Sequence, residues 1–96
     1  MPVFPGGEEA LMKFIINEVK YPDDAKKAGI QGKVFVNFIV NKEGNIVHPK
    51  ITRGVSPSLD KEALRVINKM PQWTPGKNKG ETVSVRFTMP IMFKLQ

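Results

Sequence analysis

The sequence predicts an α+β two-layer sandwich: two α-helices packed on one face of a three-stranded antiparallel β-sheet, in the order helix-strand-strand-helix-strand. Three observations lead there. Gly32 to Val40 places Val34, Val36, Phe38 and Val40 on one face and Lys33, Phe35, Asn37 and Ile39 on the other, the period-2 pattern of a strand with one buried face. Two stretches with helical spacing of apolar residues each run into a proline, Pro22 and Pro71. A closing stretch, Thr82 to Leu95, alternates again.

In chain order, Met1 to Gly7 reads as the end of a linker and residues 8–96 as the domain, because a Pro/Gly-rich run gives way to amphipathic sequence. Glu8 and Glu9 then suit a first helical turn, where carboxylates meet exposed N–H groups. Leu11, Phe14, Ile15 and Val19 follow at helical spacing, with Met12 and Ile16 widening the apolar side. Asp23 to Ala28 makes a short helical turn closed by Gly29. The strand Gly32–Val40 leads into Asn41-Lys42-Glu43-Gly44-Asn45, a turn in which Gly44 is free to take positive φ. Ile46 to Arg53 returns as a weaker second strand, completing a hairpin.

Ser56 ahead of Pro57, or Ser58 ahead of Leu59, offers an N-cap for a helix from about Leu59 to Lys69. Leu59, Ala63, Val66, Ile67 and Met70 form its apolar stripe. Residues 72–80 read as a loop, in which Trp73, between Pro71 and Pro75, is the one residue heavy enough to anchor it on the core. In the closing strand the odd residues Val83 to Leu95 face the core and the even residues face away.

Composition narrows the function. The chain has 96 residues, enough for one domain with a modest core, and no run near the ~20 apolar residues that span a bilayer. It has no cysteine, which removes disulfides and thiol chemistry. A net charge of +6 permits an anionic partner, but the lysines and arginines are spread along the chain. No secretory signal is visible, and Met1 need not be a natural start, so the chain reads as a piece of a longer protein.

The residues offer no catalytic or metal-binding set, so no enzyme activity, metal or cofactor is expected. His48 is the sole histidine and lies within a strand, and Glu8-Glu9 and Asp23-Asp24 are sequence neighbours whose side chains diverge. Gly29-Ile30-Gln31-Gly32 resembles part of a phosphate loop but precedes a strand rather than following one. Phe35 beside Lys33, with Arg86 and Lys94, is a thin version of a nucleic-acid-binding sheet face. A small basic nucleic-acid-binding domain is therefore an alternative, and nucleic acid is not the expected partner. Phe35, Ile39 and Met92, on the face away from the helices, suit either ordinary apolar exposure or a covered surface.

Pro90 makes the closing strand informative. Backbone N–H and C=O groups of a strand point to alternate sides, and a proline, lacking N–H, sits best where that side has no neighbour. With no bulge intervening, the even side becomes the free edge. Thr82, Ser84, Arg86 and Thr88 then offer their backbone groups to an incoming peptide, while Val83, Val85, Phe87 and Met89 pair with the hairpin.

Seven pieces in order carry a resemblance: Phe4-Pro5-Gly6-Gly7-Glu8-Glu9-Ala10-Leu11, Tyr21-Pro22-x-x-Ala25, Gly29-Ile30-x-Gly32-Lys33-Val34, Gly44-x-Ile46, Leu59-Asp60-x-Glu62-Ala63-Leu64, Met70-Pro71-x-Trp73-x-Pro75-Gly76 and Pro90-Ile91-x-Phe93-x-Leu95. Together they resemble the C-terminal domain of the TonB family of energy transducers, in the variant of Bacteroides-type bacteria. The resemblance implies a periplasmic domain anchored in the inner membrane through a transmembrane helix and proline-rich linker ahead of residue 1. It also implies capture of the TonB box of an outer-membrane transporter by β-strand addition beside the last strand, with energy from an inner-membrane motor complex. Enterobacterial-type members carry glutamine and proline just before Tyr-Pro, where they contact the transporter. Val19-Lys20 stands there in this chain, so Lys20 and Tyr21 mark the place of that contact without its chemistry. Structural roles are expected for Trp73, Tyr21, Pro22, Gly32 and Pro90, and some homodimer when concentrated. The alternative within the fold is a TonB-like domain appended to another membrane protein, a sensor or a membrane peptidase.

Overall fold

The alternating stretch Gly32–Val40 forms the middle strand, and the other elements pack around it. A computed structural model describes residues 2–95. The elements are α1 (Gly7–Glu18), α2 (Asp23–Lys27), β1 (Gly32–Val40), β2 (Ile46–Arg53), α3 (Pro57–Asn68), β3 (Gly76–Asn78), β4 (Glu81–Val83) and β5 (Val85–Phe93). The main sheet is antiparallel, in the order β2-β1-β5, with β1 central. This is the predicted α+β architecture.

The core lies on the helix-facing side of that sheet. Val34, Val36, Phe38 and Val40 are fully buried there, against Leu59, Ala63 and Ile67 of α3 and Ile91 and Phe93 of β5. Helix α3 starts where Ser56 accepts a hydrogen bond from the Leu59 N–H at 3.3 Å, with Pro57 in the first turn. Between the two N-cap candidates the cap is therefore Ser56. Helix α1 has no fully buried residue; Leu11, Phe14, Ile15 and Val19 are half-buried against the core while Met12 and Ile16 face outward.

Two expectations about the C-terminal third are corrected. The stretch after Pro71 is not a plain loop, because β3 and β4 pair as a hairpin of their own. Lys79 and Gly80 form its turn with φ of 53° and 82°, the positive values that a two-residue hairpin turn requires. Nor is Thr82 to Leu95 a single strand, since it divides at Ser84. The cause is register: Val40, the last residue of β1, pairs with Val85, so residues 81–83 have no β1 backbone opposite them and pair with β3.

The opening segment is packed onto the body. Val3 exchanges backbone hydrogen bonds with Thr74 at 2.9 and 2.8 Å, and Phe4 is buried. Phe4, Phe38 and Phe87 surround Trp73, with ring centroids 5.6, 5.9 and 5.6 Å from it.

Candidate functional site

An open sheet edge is a row of unpaired backbone donors and acceptors, able to template another strand. The main sheet has two such edges, and they differ in quality. Strand β2 pairs with β1 through register shifts on either side of Val36–Asn37, has His48 at a φ of 52°, and carries Pro49 in mid-strand. Such bulges twist an edge away from regular pairing. Strand β5 instead follows β1 from Gly32↔Phe93 to Val40↔Val85 without a shift. Its outer side has no strand partner among the described residues.

One hydrogen bond orients that outer side. The Thr52 hydroxyl of β2 donates to the Phe35 carbonyl at 3.2 Å, so the backbone groups of Phe35 point toward β2. Pro90, opposite Phe35 on β5, then exchanges no hydrogen bond with β1. Its nitrogen turns outward, where the missing N–H leaves no β1 acceptor unpaired. Arg86 and Thr88 share the outward orientation by the period of two.

Side chains reinforce the same stretch. Arg86 Nη1 donates to Asn37 Oδ1 at 2.8 Å, and Asn37 Nδ2 donates to Thr88 Oγ1 at 3.0 Å. This bridge on the face away from the helices leaves Asn37 only 8% exposed, the one buried polar residue among those described. Thr82 and Ser84 sit differently. Thr82 belongs to β4 and pairs with Lys77, and Ser84 is the break between β4 and β5. The structure thus groups Arg86, Thr88 and Pro90 on one edge and sets Thr82 and Ser84 beyond its end.

Lys20 and Tyr21 lie at a separate cleft, between the end of α1 and α3, shared with Pro22, Glu62 and Arg65. The Lys20 N–H donates to Glu62 Oε2 at 2.7 Å, and Arg65 grips the same carboxylate through Nε and Nη2 at 2.7 and 2.8 Å. Burial pushes the Glu62 carboxyl up. The Arg65 and Lys20 hydrogen bonds and the two positive charges together outweigh it and hold the group below its ordinary value. The Tyr21 hydroxyl donates to the Ile30 carbonyl while its ring stands edge-on to Phe93 at 5.7 Å. Pro22 precedes α2 in extended conformation, and Gly32 opens β1 with a φ of 149°.

Among the described residues no cluster of three histidines, cysteines or carboxylates could hold a metal ion. No helix among them is long and apolar enough to cross a membrane. The family described as Gram-negative bacterial TonB protein C-terminal matches residues 17–95.

The chain belongs to the TonB C-terminal domain family.

That family is non-enzymatic. Over 78 residues it is 32% identical to the protein TonB of Vibrio cholerae serotype O1, a match covering 80% of this chain and 32% of that protein. The chain therefore spans about a third of the length of its curated relative. Solution structures of the Helicobacter pylori TonB C-terminal domain share the fold: residues 194–285 align with a TM-score of 0.69 at 24% identity over 90% of each chain. The longer form, residues 179–285, aligns with a TM-score of 0.67 at 26% identity over 88% of this chain and 77% of that one.

Proposed function

We propose that this TonB C-terminal domain captures the TonB box of an outer-membrane transporter as a fourth strand on the outer edge of β5. Pull supplied by an inner-membrane motor complex would pass through that contact, with the domain on the periplasmic side and the anchor ahead of residue 1. The observation that carries the reading is the regular, unpaired outer side of β5, next to a bulged and proline-interrupted β2 edge. In strand addition, main-chain hydrogen bonds supply affinity without demanding a particular side chain at each position. Arg86 and Thr88 form the centre of the pairing, Pro90 interrupts it by one missing N–H, and Ser84 and Thr82 lie beyond the end of β5. Lys20 and Tyr21, at the end of α1, flank the far end of β5 through the Tyr21–Phe93 contact.

Paired proline substitutions test this. Arg86→Pro removes an N–H from the outer edge, so the domain stays folded but no longer binds a TonB-box peptide in titration calorimetry. Phe87→Pro removes a donor to β1 and unfolds the domain. An Arg86→Pro variant that binds as the parent does overturns the reading.

A further inference from the structure

Helix α1 runs beside β5 in the same direction: Glu8 and Leu11 share a cavity with Phe87 and Met89, and Met12 and Ile16 share the next one with Pro90 and Met92. The second is a groove of about 480 Å³ between the outward face of α1 and the free edge of β5. Its walls are exposed apolar side chains, Met12 at 59%, Ile16 at 67% and Met92 at 55%. Among the described residues, Lys33 and Lys94 are the charged ones at this groove, and no carboxylate lines it.

We infer that α1 is a specificity wall for the added strand, selecting an extended segment that alternates apolar and acidic side chains. The inference rests on strand addition at β5, and it reaches the sequence of the partner. A fourth strand must send alternate side chains to opposite faces. Those turned to the helix layer enter the groove against Met12 and Ile16, where an aliphatic or aromatic group removes apolar surface from water and a polar one loses its hydration. Those turned the other way lie beside Met92, Lys94 and Lys33 at the groove's sheet-side wall, where a carboxylate meets two positive charges that have no acidic partner among the described residues. Charge complementarity and continuity with the β5 edge thus point to the same occupant.

The test uses the full chain with three short synthetic peptides of one length, alternating Val–Glu, Ser–Glu and Val–Lys, followed by fluorescence polarisation. The parent should bind Val–Glu at least about tenfold more tightly than either of the others, the scale at which a well-placed contact counts in interfaces. Met12→Ser/Ile16→Ser, at two exposed positions and with an unchanged melting temperature, should lose that advantage over Ser–Glu while still binding both weakly. Lys33→Glu/Lys94→Glu should erase the preference over Val–Lys, more so at low salt. Equal binding of Val–Glu and Ser–Glu by the parent, or no effect of the serine pair, overturns the specificity wall while Arg86→Pro still abolishes binding. No binding of any peptide by the parent overturns strand addition and this inference together. If the serine pair instead abolishes a dimer, or adsorption to phosphatidylglycerol vesicles, that Val–Glu does not displace, the groove serves a second copy or a lipid surface and the inference fails.

Discussion

Trp73 is fastened to the hairpin turn at Gly44. Its N–H donates to the Gly44 carbonyl at 2.8 Å, and a β-carbon placed on Gly44 would stand 1.8 Å from the Trp73 carbonyl oxygen. A turn between β1 and β2 and a loop after α3 thereby hold each other, and the indole is carried under the sheet. Gly44 also has a φ of 87°, so a side chain there meets both strain and a backbone wall. Gly44→Ala should cost about 2–4 kcal/mol, the sum of left-handed strain and one displaced backbone hydrogen bond. Chemical denaturation reads this directly; a loss below about 1 kcal/mol would mean that the Trp73 loop moves freely.

Trp73 itself is 5% exposed and touches three phenylalanine rings. Trp73→Ala should cost roughly 3–5 kcal/mol, as other large-to-small core changes do. The buried indole Nε1 has no hydrogen-bond partner among the described residues, so its N–H adds nothing to stability. Trp73→Phe should therefore recover more than half of the loss. A melting temperature that barely moves in the alanine variant would instead show an indole free to serve as a binding group.

The Glu62–Arg65–Lys20 cluster predicts an acid-side weakness. Glu62 titrates lower in the folded chain than its ordinary value of 4.5. Its contribution is therefore complete above the unfolded value and disappears as pH falls through the folded one. Denaturation midpoints should drop between neutral pH and pH 4 less steeply for Glu62→Gln than for the parent. The difference should stay within about 1 kcal/mol, because the cluster is partly solvated. Identical slopes would mean that α1 and α3 are held together by packing alone.

An open β5 edge beside the exposed Met12 and Ile16 gives the isolated domain a reason to pair with itself. Static light scattering should show a monomer when dilute and some dimer when concentrated, with Arg86→Pro shifting the balance toward monomer. A mass that stays monomeric up to millimolar concentration removes self-pairing.

The legible parts of this domain were those governed by local periodicity and turn chemistry. Gly32–Val40 alternates with its apolar residues on one face, and that face is the core; Gly44 sits where only a positive φ closes the hairpin; Ser56-Pro57 caps α3. The β3–β4 hairpin was missed because Gly76 to Val83 has no apolar alternation, and its one local sign was the Lys79-Gly80 turn. The burial of Asn37 was not legible in the sequence, because it depends on Arg86 and Thr88 arriving from a strand about fifty residues away.

The sequence by itself determined both long helices and the three strands of the main sheet in outline, which faces carry the core, and that Pro90 belongs where no N–H is required. These follow from spacing within a few residues, where backbone geometry leaves little choice. The tertiary structure alone decided that β5 begins at Val85, that the Phe35 carbonyl turns to β2 and so orients the free edge, and that α1 lies along that edge with Met12 and Ile16 facing outward. Each of those depends on register and on the approach of elements distant in the chain. No local pattern encodes such relations, because they are set by how the whole core closes.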